Sequence, residues 1–144
     1  MNQGKYIFAQ LTDFLPHRVF DRIVDKYEGN KYVRSFSYWN QMLCMVFGQL
    51  TSRDSMRDLM LSLEAHHPKY YLLGFGSTVS RRNLGTANER RNYKIFEEFA
   101  YVLIEEARRS CYLDDFEIEV SIFGTLSSFI RYFGAFSKKK TFAV

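Results

Sequence analysis

Apolar residues return every three or four positions almost from the start of the chain, which predicts helices rather than strands. Tyr6, Ile7, Leu11, Phe14 and Leu15 predict a short first helix that stops near Pro16. Pro16 suits the first turn of the next helix, where no amide proton is missed. There Val19, Phe20, Ile23, Val24 and Tyr27 make one continuous apolar stripe, with Gly29-Asn30 as the stop signal. A third helix is expected from about Tyr38 to Leu50, with Ser37 as its N-cap. Trp39, Met42, Leu43, Val46, Phe47 and Leu50 make it apolar on more than one face, so it should be the central buried element.

Thr51-Ser52 offers the next N-cap. It would open a helix with Met56, Leu59, Met60 and Leu63 inward and Arg53, Arg57 and Asp58 outward. Pro68 and Gly74-Phe75-Gly76 mark a break. Ser80 then caps a short helix of about 81–90, with Leu84 and Ala87 on its inner face. A long helix follows from Asn92 to Ser110, with Ile95, Phe96, Phe99, Val102, Leu103 and Ala107 inward. Its acids come early and its bases late, as the helix dipole favours. Beyond Cys111 the period drops to two: Phe116, Ile118, Val120 and Ile122 alternate with Glu117, Glu119 and Ser121, which reads as a short strand. The expected fold is all-α, a compact bundle of about six helices. A helical domain over 1–115 is followed by an irregular tail over 116–144.

Composition narrows the possibilities. The chain is 47% apolar and 17% aromatic, enough for a real core and too much for disorder. No apolar run reaches the ~18 residues of a membrane span, and the N-terminus lacks a signal-peptide layout. No membrane partner and a cytoplasmic location are therefore expected. Two cysteines, Cys44 and Cys111, cannot make a disulfide framework, and no Cys/His cluster has zinc spacing. Phosphate-cradling, dinucleotide-binding, nucleophile-elbow and HExxH motifs are all missing. No catalytic residue, metal or cofactor is expected. The one dense carboxylate group, Asp114, Asp115, Glu117 and Glu119, reads as a solvated turn and the outer face of a strand. His66-His67 reads as a helix C-terminal pair, His17 as a surface residue of a first turn, and Cys44 as core.

The net charge of +4 becomes informative only once it is placed along the chain. Residues 1–120 hold sixteen bases and sixteen acids, so the excess comes wholly from Arg131 and Lys138-Lys139-Lys140 in the tail. A basic pI is thus poor evidence for nucleic acid. Local clustering matters more: within 77–94, Arg81, Arg82, Arg90, Arg91 and Lys94 face one acid, Glu89. If Ser80 caps a helix, Leu84, Ala87 and Arg91 share one side, while Arg82, Asn83, Thr86 and Arg90 gather on another. Arginine reads guanine edges, asparagine reads adenine, and threonine and arginine hold phosphates. An exposed first turn of that kind is what a helix-turn-helix presents to the major groove. Ser80, Arg81, Arg82, Asn83, Thr86, Arg90, Arg91 and Lys94 are therefore the candidate DNA-binding residues. On spacing alone, an ordinary arginine-rich surface helix explains them equally well.

Four stretches taken together resemble a known domain. They are Gly4-Lys5-Tyr6 to Phe14, Trp39-Asn40-Gln41-Met42-Leu43, Thr51-Ser52-Arg53-Asp54-Ser55-Met56-Arg57-Asp58-Leu59, and Val79 to Phe96. The resemblance is to the N-terminal helical domain of DDE transposases of bacterial insertion sequences, the insertion sequence 4 group and especially Bacteroides-type elements. It covers about residues 1–120. It implies a helical domain that binds the terminal repeats of its element and precedes an RNase H-like catalytic domain. The chain departs from that pattern after Val120, where it reads Ser121-Ile122-Phe123-Gly124-Thr125-Leu126 and carries no Asp or Glu beyond Glu119. Two-metal phosphoryl transfer needs carboxylates to hold the ions. The resemblance therefore implies a truncated or frameshifted transposase without catalysis of its own. Two function classes stay open: a DNA-binding module, with DNA and a possible homodimer as partners, or a helical protein–protein interaction module with no DNA role.

Overall fold

The computed structural model describes residues 6–53 and 55–111, and all the regular structure among them is helical. In chain order the helices are α1 (Ile7–Asp13), α2 (His17–Lys26), α3 (Tyr38–Leu50), α4 (Met56–Ala65), α5 (Arg81–Arg90) and α6 (Lys94–Cys111). Two 3-10 turns, His67–Lys69 and Tyr71–Leu73, lie between α4 and α5. The strand expected over Phe116–Ile122, and the tail, fall outside the described residues. The chain divides into two compact units between Arg90 and Arg91.

In the first unit α3 is the central element, buried along nearly its whole length from Tyr38 to Gly48. Ser37 starts it: its Oγ accepts the Asn40 amide at 3.0 Å, which satisfies one of the donors every helix start leaves open. Around α3 the core gathers Leu43, Cys44 and Phe47 with Leu59 and Leu63 of α4, Leu73 and Phe75 of the connection, and Leu84 and Ala87 of α5. Phe8 of α1 joins it, edge-on to Phe47 at 5.3 Å and stacked over Phe75 at 6.2 Å. Gly29 lets α2 turn back close to α3. A Cβ there would meet the Tyr38 ring at 3.0 Å and Val24 at 3.1 Å. The left-handed residue of that turn is Glu28 instead, at φ 50°, so Gly29 is present for room rather than for backbone freedom.

Two expectations need correction. Thr51-Ser52 does not cap α4. Thr51 closes α3, its hydroxyl donating back to the Phe47 carbonyl at 2.7 Å, and Ser52 takes a left-handed φ of 51°. The cap is Ser55, whose Oγ accepts the Asp58 amide at 3.1 Å and donates to the Asp58 carboxylate at 2.7 Å. Ser55→Ala should cost about 1 kcal/mol, the usual worth of an N-cap, read as a lower urea midpoint; an unchanged midpoint would remove the cap from the account. Pro16 sits at the N-cap of α2, one residue before its first turn. The short first helix forms as expected; Ile7, Leu11 and Phe14 are exposed, Phe14 by 85%, while Ala9 and Thr12 turn inward.

Cys44 is fully buried, as expected for a core cysteine. Burial holds its thiol well above the ordinary value, because a thiolate there would be desolvated. Tyr70 is pushed up as well, chiefly by burial. The unfolded chain thus releases these protons at a lower pH than the folded chain does. Stability is fully present at neutral pH and falls as the pH rises past the ordinary thiol and phenol values. The urea midpoint should be lower at about pH 10 than at about pH 7, and Cys44→Ala should remove part of the decline.

In the second unit, α6 begins where Asn92 Oδ1 accepts the Lys94 amide at 3.1 Å. Ile95, Phe96, Phe99 and Ala100 are its buried residues. Glu105 and Arg109 pair one turn apart at 2.6 Å on its exposed side.

Candidate nucleic-acid interface

The candidate helix forms where the sequence places it. Ser80 Oγ accepts the Asn83 amide at 3.2 Å and the Ser80 carbonyl accepts the Leu84 amide at 3.0 Å, so α5 opens on a capped turn. Leu84 and Ala87 are buried in the core. Around the helix, at about 100° per residue, Arg82, Asn83, Thr86 and Arg90 occupy one continuous arc opposite them. All four are exposed, as are Ser80 and Arg81. No described residue forms an ion pair with Arg81, Arg82 or Arg90. Glu89 is the only acid on the helix. The arc therefore presents guanidinium groups with no ion-pair partner among the described residues, beside an amide and a hydroxyl, the donor set that suits phosphates and purine edges.

Five of the eight predicted residues thus come together on α5, with Ser80 as its cap. Arg91 and Lys94 do not belong to it. The helix ends at Arg90, so Arg91 does not continue the Leu84–Ala87 side; it begins the second unit and is half-buried. Lys94 is the exposed first residue of α6. Asn92 stands between the two helices, where the sequence places the break, and its side chain accepts the Lys94 amide at the start of α6.

Sequence reasoning missed the groups that hold α5 and its approach in place. Asn40 and Gln41, inside the most apolar helix, are both buried. Asn40 Nδ2 donates to Ser77 Oγ at 2.7 Å, its Oδ1 accepts the Gly76 amide at 3.2 Å, and Ser77 Oγ donates to the Ser35 carbonyl at 2.9 Å. Gln41 Nε2 donates to Asn88 Oδ1 of α5 at 2.6 Å. The available signal was the pair of amides in an apolar run, since buried amides must find partners. Which partners they find is set by tertiary packing.

The rest of the first unit offers less chemistry. An open cleft of about 350 Å³ lies between α2, the start of α3 and the Gly74–Gly76 turn. Several of its polar groups are committed: His17 Nδ1 is 2.8 Å from Asp21 Oδ2, Ser37 caps α3 and Asn40 ties the turn. His66 Nδ1 lies 2.8 Å from the Ser62 carbonyl, in keeping with a helix C-terminal role. Among the described residues no three His, Cys, Asp or Glu side chains are grouped to hold a metal ion. The acidic group at 114–119 lies outside the described residues. No helix among the described residues is long and apolar enough to cross a membrane.

Residues 3–76, just over half of the chain, match a protein family described as a domain of unknown function (DUF4372). The match runs from the start of the first unit through both 3-10 turns and stops before α5. No curated protein and no solved structure matches the chain.

Proposed function

We propose that this chain, which belongs to the DUF4372 family, is the DNA-binding part of an insertion-sequence transposase that recognises the terminal repeats of its element. Domains of this family are known from transposase-like proteins. The observation that carries the reading is the exposed arc of α5, where Arg82, Asn83, Thr86 and Arg90 face outward and no described residue neutralises the arginines. Exposed arginines are common on surface helices; what supports the reading is their gathering beside Asn83 and Thr86 on one exposed face, the donor set that a groove-reading helix uses. α4 and α5 act in this reading as a helix-turn-helix-like pair. Residues 66–80 join them through two 3-10 turns, a longer link than the usual turn of three or four residues.

Titration of the full chain with duplexes from the DNA flanking its own reading frame, against random duplexes at several salt concentrations, tests the reading. Specific binding should exceed random binding by at least ~10³-fold. Equal affinities at every salt concentration would overturn it. Arg90→Ala should weaken binding to both kinds of duplex alike and lower the salt slope by about one, as the loss of one phosphate contact does. A slope equal to that of the unmodified chain would remove Arg90 from the interface.

One observation favours a second reading. The exposed ridge of Ile7, Leu11 and Phe14 on α1 is the kind of apolar surface that marks a protein contact. If Phe14→Glu abolishes self-association measured by sedimentation while DNA binding is absent throughout, an interaction module takes precedence.

A further inference from the structure

We propose that the hydrogen bond between Gln41 of α3 and Asn88 of α5 sets the rotation of α5 about its own axis, and with it sequence discrimination. This rests on the reading of α5 as the DNA-reading helix. Gln41 is 1% exposed, so it cannot itself touch DNA, and Asn88 is half-buried. Both are positioning residues.

The apolar hold on α5 is small. Its buried residues are Leu84 and Ala87, and apolar contacts carry no direction. A helix held by two such residues can turn without losing much contact. The amide pair removes that freedom. Asn88 is bonded at both ends to α3: its Oδ1 accepts Gln41 Nε2 at 2.6 Å, and its Nδ2 reaches Met45 Sδ at 3.9 Å, one turn further along. A hydrogen bond tolerates little change in distance or angle. Any rotation that draws Asn88 away strips a partner from a glutamine that water cannot reach, which is costly.

The consequence falls on the opposite face. Asn88 lies six residues beyond Arg82, on the far side of the helix. A rotation of about 20° displaces side-chain ends at the helix surface by about 2 Å. That exceeds the spread of hydrogen-bond lengths, so base-edge contacts by Arg82 and Asn83 would be lost. Phosphate contacts by flexible arginines would survive it. The clamp should thus govern the ratio of specific to random binding and leave random binding alone.

Gln41→Asn shortens the reach of the pair by one methylene, and Gln41→Asn with Asn88→Gln restores it in reverse order. The probes are a duplex that the unmodified chain enriches from a random-sequence pool, and the unselected pool. Both are titrated with full-length chains of equal folded fraction, and amide exchange is followed in α5. Gln41→Asn should lower the ratio of specific to random affinity at least tenfold, with random affinity unchanged within about twofold. The reciprocal pair should recover the ratio. An unchanged ratio in Gln41→Asn, or one that the reciprocal pair leaves low, overturns the proposal. If the unmodified chain enriches no duplex, the DNA reading fails and exchange decides the clamp. Faster exchange in α5 of Gln41→Asn, slowed again by the reciprocal pair, keeps it; unaltered exchange overturns it.

Discussion

Phe20→Ala should destabilise the chain by about 3–5 kcal/mol, the range for emptying a close-packed aromatic site. Phe20 is 0% exposed and its ring meets Trp39 edge-on at 5.4 Å. It anchors α2 to the start of α3. Domains of this size hold only about 5–15 kcal/mol in total, so the variant should be largely unfolded at modest urea concentrations. Equilibrium urea unfolding followed by circular dichroism measures the change. A loss below about 1 kcal/mol would mean that α2 is not packed as described.

Arg82→Ala and Asn83→Ala should each cost about 1–3 kcal/mol for a specific duplex, about 5–150-fold in affinity, and little for random DNA. Both residues are exposed on the first turn of a helix whose cap, Ser80, is intact. Truncating their side chains removes donors and acceptors from the arc without disturbing Leu84 or Ala87 beneath it. Fold and stability should therefore stay unchanged, which separates this pair from Phe20. Loss of specific and random binding in equal measure would reduce both residues to phosphate contacts. No effect on either would mean that another surface does the reading.

The helices were legible where a local cap and a clean apolar period coincide. α3 begins at Tyr38 behind Ser37, and α5 spans 81–90 behind Ser80 with Leu84 and Ala87 inward, because each signal is complete within a few residues. The start of α4 was obscured by two candidate caps. Thr51 belongs to the end of α3, and Ser55 with Asp58 three residues on carries the reciprocal pattern that decides between them. On α1 the period is helical, but Ile7 and Leu11 face outward while Phe8 packs into the core, since period alone fixes a stripe and not the side on which the core lies. The candidate site was legible as a list of donors on one helix face. Its supports, Asn40 and Gln41, were not, because their partners Ser77 and Asn88 lie 37 and 47 residues away.

Dimethyl sulfate protection of guanine N7, which lies in the major groove where an arginine would bond it, tests most directly whether the outer face of α5 reads bases. The unmodified chain bound to an enriched duplex should shield a small set of guanines, and Arg82→Ala should re-expose one of them while the others stay covered. An identical pattern for both chains, or no protection by the unmodified chain at full occupancy, would contradict the assignment of α5 as the reading helix.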